Sequence, residues 1–347
     1  MAKTPTSIIG VDLGRYSIKS VLLSRRGNNR FILSNYAVRT LDEPIENSKQ
    51  IANQIQQLFK EMGGGAKTCS IAVSSPEALI RIIEQPETPT EILREALRLN
   101  GMTLLNQDVK EFVLDCDAIK SSGPASDPAA TGGKVKYLVG GLPRARVTQI
   151  DEGFQQVRKN SVSAMQLAPI CAFNAFEFAN PEVFNNEAFL IVDIGHSSST
   201  VTVGVKRELV LVRAIDFGGE TLLDALTGHV GITAAEARQA LEVGTDEVVV
   251  ETARLLLAAL TREISSSIGF FEGRREDTIQ QIWISGGPSK SKTLVKVMSV
   301  ELRLPCAAWS ASERCDVSIS GDKKARFAEE ASDLNVACGA AAELLTA

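Results

Sequence analysis

The chain has 347 residues, 44% of them hydrophobic and 23% charged, with a formal net charge of −5. At roughly 150 residues per domain this is a globular protein of two domains, or of one domain built from two lobes, and the acidic balance argues against nucleic acid as its main partner. No run approaches the roughly 18 apolar residues of a membrane helix, and six scattered cysteines with two histidines and no C-x-x-C spacing speak against a zinc site or a disulfide framework.

The opening residues carry one lysine, an early proline and then an aspartate, without the apolar run and small-residue cleavage site of a secretory signal, so reduced cytoplasmic thiols are expected. Residues 7–12 are apolar and β-branched and run into Gly14, which reads as a buried strand ending in a tight turn. Strands at 18–24 and 31–38 follow, joined by a polar hairpin turn at 25–29. Ile51, Ile55, Leu58, Phe59 and Met62 fall at helical spacing, and Gly63, Gly64 and Gly65 stop that helix. Another strand is expected at 68–73.

From Glu84 to Thr90 the composition turns acidic and proline-rich. Thr90 is placed to cap a helix running to Asn100, with Ile92, Leu93, Ala96, Leu97 and Leu99 as its apolar side. Strands at 111–119 and 135–142 flank a Ser/Gly/Pro-rich hairpin loop that starts at Ser121 and continues to Gly133. A polar helix at 144–160 closes what reads as a small α+β insert over 85–160. Beyond it come a helix from Pro169 to Phe178, a buried strand at 189–193, strands at 201–205 and 209–214, helices at 233–242 and 249–271, a strand at 281–285 and an alanine-rich helix at 334–345.

The chain echoes itself. Val11-Asp12-Leu13-Gly14-Arg15-Tyr16-Ser17 matches Val192-Asp193-Ile194-Gly195-His196-Ser197-Ser198 at a constant offset of 181. Two strand–turn–strand units of one design imply two related lobes facing each other. In such a turn glycine lets the backbone approach a ligand, and neighbouring N–H groups with the hydroxyls of Ser197, Ser198, Ser199 and Thr200 suit a phosphate. An aspartate at the strand end repels phosphate unless Mg²⁺ and its waters lie between them, so Asp12 and Asp193 are the expected metal-side acids. A third element, Ile282-Trp283-Ile284-Ser285-Gly286-Gly287-Pro288-Ser289, is a strand meeting two glycines before a helix start, where a purine can lie against backbone.

This order of motifs resembles the actin-like superfamily and, within it, the PilM-like (FtsA-related) family of type IV pilus assembly. Asp12-x-Gly14 looks like its first phosphate motif, Asp193-x-Gly195 with Ser197 to Thr200 like its second, and Ser285-Gly286-Gly287 like its adenosine motif. The segment Pro86-Glu87-Thr88-Pro89, the pairs Leu142-Pro143 and Ala168-Pro169, and Asp216-Phe217-Gly218-Gly219-Glu220 resemble the entry and exit of the family's extra subdomain and the start of its fourth. The resemblance implies an α/β, ribonuclease H-like two-lobed fold with an FtsA/PilM-type insert. Its parts would be a first lobe core at 1–84, 161–186 and 335–347, the insert at 85–160, a second lobe core at 187–225 and 278–334, and an outer subdomain at 226–277.

It also implies ATP and Mg²⁺ as cofactors, a place at the cytoplasmic face of the inner membrane, and a partner, the N-terminal peptide of a PilN-like membrane protein. Self-association is a further implied property. Implied nucleotide contacts are Asp12, Gly14, Arg15, Ser17, Lys19, Asp193, Gly195, His196, Ser197, Ser198, Ser199, Thr200, Gly218, Gly219, Glu220, Glu236, Gln239, Gly286, Gly287, Ser289 and Lys290. Lys19 reads equally as a phosphate contact or a solvated strand residue, and His196 and Glu236 also have plain surface readings. Three positions depart from the family pattern: Arg15 replaces a small residue, Gln239 replaces a ribose-contacting lysine, and Ala168 stands where a water-orienting polar group is usual. Slow or absent hydrolysis is therefore expected. A scaffold is the first functional reading; a small-molecule kinase and an FtsA-like filament former are the alternatives.

Overall fold

The structure is a computed structural model that describes residues 6–27, 29–41, 43–63, 66, 68–119, 134–157, 161–244 and 246–346. Parts of the expected turn at 25–29 and of the Gly63-Gly64-Gly65 stop, and the whole loop from Ser121 to Gly133, lie outside the described residues. The first half runs β1 (Ser7–Leu13), β2 (Ser17–Arg26), β3 (Arg30–Thr40), α1 (Ser48–Glu61), β4 (Thr68–Val73), β5 (Leu79–Pro86), α2 (Thr90–Leu99), α3 (Gly101–Leu105), β6 (Phe112–Ala118), β7 (Lys134–Pro143), α4 (Arg144–Val157), β8 (Ser161–Leu167), α5 (Ala168–Ala179) and α6 (Pro181–Asn186). The second runs β9 (Ala188–Ile194), β10 (Ser199–Val205), β11 (Glu208–Ile215), α7 (Gly219–Val230), α8 (Ala234–Val243), α9 (Glu247–Glu272), β12 (Ile282–Ser285), α10 (Lys292–Leu302), β13 (Cys306–Ala308), β14 (Asp316–Val317), α11 (Asp322–Glu330) and α12 (Asn335–Thr346).

The sequence repeat is a repeat of topology. One sheet has the order β14-β3-β2-β1-β4-β8, the other β11-β10-β9-β12-β13. In each, the first strand pairs antiparallel with the second and the second with the third. The first then pairs parallel with the fourth, and the fourth with the fifth. The strands of both sheets that carry the repeated motif are apolar and buried on both faces, as central strands between helical layers must be.

Between β4 and β8 the first half carries a third sheet, β5-β7-β6, with its own small core of Leu93, Leu97, Leu114, Tyr137 and Val139. Its first strand begins at Leu79, six residues before the expected edge of the insert. Helix α4 sends Ile150 and Phe154 into the core shared with Ile51, Ile55 and Phe59 of α1, away from the small sheet. Thr90 is the first helical residue, not the cap; Pro89 holds the cap position without a side-chain bond. Only Leu93 and Leu97 of the expected apolar side are buried, whereas Ile92 and Leu99 face outward. Helix α1 begins with a capping box in which Asn47 and Gln50 satisfy each other's backbone N–H groups.

Helix α12 is the keystone of the first half. It lies between β1 and α5, and its small residues allow close approach: a Cβ added at Gly10 would fall inside the Ala337 carbonyl oxygen, and one at Gly339 inside that of Cys171. The segment after β13 also crosses to the first sheet, where β14 pairs with β3 and Trp309, Ile319 and Phe327 join a core with Leu33 and Tyr36.

One ion cluster ties the small sheet to the second half. Glu208 of β11, 3% exposed, accepts from Lys136 of β7 and from Arg275, both at 2.7 Å. Burial pushes its carboxyl up, but the bonds to Arg275 and Lys136 outweigh burial and hold it below the ordinary value. A depressed carboxyl stabilises the fold above its unfolded value and loses that contribution as pH falls through its folded value. Glu208→Gln should therefore cost about 3 kcal/mol at neutral pH by leaving two cations facing a neutral group. The gap to the unsubstituted protein should close below about pH 4, checked by denaturant titration at both pH values.

Candidate functional site

The two repeated turns share one construction. The Gly14 N–H donates to the Ser17 carbonyl at 3.1 Å, and the Gly195 N–H to the Ser198 carbonyl at 2.9 Å. A Cβ at Gly14 would sit 2.7 Å from that Ser17 oxygen, and one at Gly195 2.8 Å from that of Ser198. Glycine is thus required to close the turn, and with its own N–H spent inside it the neighbouring N–H groups and hydroxyls are left as the candidate donors to a ligand. The turns meet each other: the Tyr16 ring lies 4.2 Å from that of His196 at 37°, with the Arg15 guanidinium 5.7 Å from the Tyr16 centroid. His196 also pairs with Glu220 at 3.5 Å.

Behind this contact lie three acids. Asp12, 5% exposed, ends β1, and its Oδ1 has no hydrogen-bond partner. Its Oδ2 is 3.5 Å from Lys19 Nζ, which sits opposite it in the β1–β2 register. Burial drives the Asp12 carboxyl up; Lys19 opposes this, Asp193 and Asp333 add to it, and the result is about 6. The charges around Lys19, Asp12 foremost, outweigh its own burial and raise its ammonium. Asp193 ends β9 and accepts from Ser285 Oγ at 2.7 Å. Asp333, 7% exposed, pairs with Lys290 at 2.6 Å and leaves its Oδ1 unpartnered. Acids from both halves therefore act on one point with more negative charge than the two lysines offset.

The remaining glycine motifs pack on the second turn. Gly219 and Glu220 donate their N–H groups to the carbonyls of Gly195 and His196 at 3.0 and 2.8 Å, and a Cβ at Gly218 would overlap His196. Gly286, at φ +86°, packs against Ile194, where a side chain would clash. A Cβ at Gly287 would meet Asp333 Oδ1 at an ordinary contact of 3.8 Å. The helix expected after the two glycines begins at Lys292, preceded by a short 3₁₀ turn, Gly287–Lys290, and Ser291 caps it through the Leu294 N–H.

Several expected contacts prove to be committed elsewhere. Ser199 is buried, and its hydroxyl donates to the Phe217 carbonyl at 2.6 Å. Ser289 is buried against Ser332, and Lys290 is bound to Asp333. Glu236 closes the capping box of α8, accepting from the Thr233 N–H and hydroxyl at 2.8 Å each, and those bonds lower its carboxyl. Gln239 is exposed on the same helix. Ser17 and Thr200 are half-buried at their strand starts, and Arg15, Ser197 and Ser198 are exposed. At the end of β8, the amide of Gln166 donates to Ser70 Oγ and accepts from the Cys171 thiol, beside the apolar Ala168.

Sequence reasoning missed Asp333 and the pairing role of Tyr16. Asp333 lies two residues before α12, which runs along β1, so only the tertiary placement of that helix brings it to the site.

A second concavity, about 700 Å³, lies between the small sheet and the flank of the first sheet. Leu138, Gly140 and Leu142 of β7, residues 113–118 of β6 and Met165 to Leu167 of β8 line it, with Phe173, Asn174 and Glu177 of α5. Arg207 and Leu209, from the β10–β11 turn, close its far side.

A family model described as "Type IV pilus assembly protein PilM" matches residues 10–344. Among solved structures, the fold is similar to a chain of the "PilM-PilN type IV pilus biogenesis complex", with a TM-score of 0.80, 19% identity, and 99% of each chain covered. It is also similar to the ethanolamine utilization protein EutJ from Carboxydothermus hydrogenoformans, with a TM-score of 0.55, 13% identity, and 100% of this chain and 92% of that one covered.

Proposed function

The chain belongs to the family of type IV pilus assembly protein PilM and has its actin-like fold. From that premise we propose a scaffold that holds Mg-ATP between its halves and a peptide of a PilN-like membrane protein in the 700 Å³ groove. The groove carries the reading. It is bounded by an insert that has its own core, it mixes apolar walls with a few polar groups, and its size suits a peptide segment. The similar fold in the PilM-PilN complex supports a partner of that kind. We divide the chain at the elements, with the insert at residues 79–143 and α4 assigned to the first lobe.

The nucleotide part rests on the acids. An unpartnered, buried Asp12 Oδ1 beside Asp193 and Asp333 fits a divalent cation, and Asp12 and Asp193 would hold it through their free oxygens or through water. Exposed Ser197 and Ser198, Lys19 and the open face of Gly287 would contact the nucleotide. Bound Mg-ATP supplies a cation that offsets these acids and an anion that joins the two turns. Ala168 is apolar and the Gln166 amide is bonded to Ser70 and Cys171, so we read ATP as a structural ligand. No helix of the described residues is long and apolar enough to cross a membrane, and attachment to the inner membrane's cytoplasmic face would come through the partner.

Calorimetry with the synthetic N-terminal cytoplasmic peptide of the PilN-like protein tests this. Asn174→Trp, which fills the groove from α5, should weaken the peptide at least tenfold and leave the Mg-ATP-dependent thermal shift unchanged. Unaltered peptide affinity would move the binding surface elsewhere.

A further inference from the structure

The β6 wall of the groove is a sheet edge. Among the described residues the order β5-β7-β6 leaves β6 outermost, and its residues 113–118 all line the groove, as does Ile119. The Ile119 N–H donates to Lys136 beside β7 at 2.8 Å. Antiparallel alternation then turns the N–H groups of Cys116 and Ala118 away from β7, toward the groove. Their acceptors are side chains of their own strand: the Cys116 N–H donates to Asp115 Oδ1 and the Ala118 N–H to Asp117 Oδ1, both at 2.8 Å. Each cap spans one residue and stands in solvent, so it blocks accidental strand pairing and is easily exchanged for another acceptor.

The charges of the groove have a sign. Among the described residues its lining holds Asp115, Asp117, Glu177 and Glu343 against Arg94 and Arg207. Arg94 is bonded to Asp115 at 2.9 Å and Arg207 faces Glu177 at 3.7 Å, which leaves Asp117 and Glu343 as the surplus. A strand that took the edge N–H groups would release the aspartate caps and add to that surplus. Segments next to a membrane span on its cytoplasmic side are rich in Lys and Arg, which is the charge this wall lacks.

We propose that the groove takes its peptide as an added β-strand on β6, hydrogen-bonded to the Cys116 and Ala118 N–H groups, with basic side chains of the peptide facing Asp117 and Glu343. This rests on the peptide-groove reading and specifies how it works. Main-chain bonds supply affinity with little demand on sequence, and the acids select a basic tail.

The test uses the full chain and the same synthetic peptide, N-methylated at one backbone position at a time. Affinity should fall at least tenfold at alternate positions and change less than twofold between them. Amide exchange at Cys116 and Ala118 should slow at least tenfold on binding. Replacing the peptide's Lys and Arg by Gln should weaken it about tenfold, and Asp117→Asn with Glu343→Gln should flatten its salt dependence. Tight binding with a flat methylation scan and unchanged exchange would overturn the strand mode and leave the groove reading standing. No binding of the unmodified peptide would overturn both. Protection of these two amides by dimerisation without peptide would assign the edge to a second copy and overturn the proposal.

Discussion

Gly339→Ala should destabilise the protein by about 3 kcal/mol or more, the largest single-methyl effect expected in this chain. The added Cβ would fall inside the Cys171 carbonyl oxygen, a backbone atom that cannot rotate away. Helix α12 is also pinned on its other side, because Gly10 of β1 approaches the Ala337 carbonyl as closely. Moving α12 off α5 therefore drives it into β1. A drop in Tm of about 4 °C or more is the expected reading for Gly339→Ala, and Gly339→Val should not yield folded protein. By contrast, Gly228→Ala, where a Cβ meets nothing within 4 Å, should be neutral or slightly stabilising. A loss under about 1 kcal/mol at Gly339 would show that the α5–α12 crossing opens without cost.

Asp193→Asn should abolish the thermal shift produced by Mg-ATP while leaving the unliganded Tm within a degree or two. The substitution keeps the oxygen that accepts from Ser285 and removes the charge proposed to face the cation. A ligand at a hundred times its dissociation constant stabilises the native state by about 2.7 kcal/mol, so the unsubstituted protein should show a shift of several degrees. The comparison needs two controls: EDTA should erase the shift in the unsubstituted protein, and Asn174→Trp should keep it. A shift retained in Asp193→Asn would place the nucleotide away from the paired turns. No shift in the unsubstituted protein would remove the nucleotide part of the proposal and leave the groove untouched.

The paired turns were legible in the sequence because their geometry has few chemical solutions. Only glycine fits at Gly14 and Gly195, and the flanking apolar runs have the length of buried strands, so a repeat in letters became a repeat in topology. The last helix was legible for a related reason, since a run of alanines and one glycine has no other use than close packing. The small sheet was less so. Its strand Leu79–Pro86 alternates imperfectly and ends in proline, and Ser161–Leu167 of the first sheet shows little periodicity, so both strands went unread. Their partners lie about fifty or more residues away, which no local pattern records.

At the site, residue type gave the neighbourhood but not the bonds. Ser199, Ser289 and Glu236 are the kinds of residue that hold nucleotides, and each spends its polar atoms on the fold instead. Asp333 was invisible because its importance depends on where α12 begins relative to β1, a tertiary fact. Tyr16 was visible only as a letter in the repeat; its stacking on His196 needs both halves assembled.

The position of α12 also bears on how the chain is made. Strand β1 is synthesised more than three hundred residues before helix α12, yet the face it presents at Gly10 is covered by Ala337 and Ala341 of that helix. Until then the nascent first half must keep an apolar sheet uncovered, a state prone to association with neighbouring chains. Synthesis without helix α12 should therefore increase dependence on chaperones, and its docking acts as the step that commits the first half to its shape.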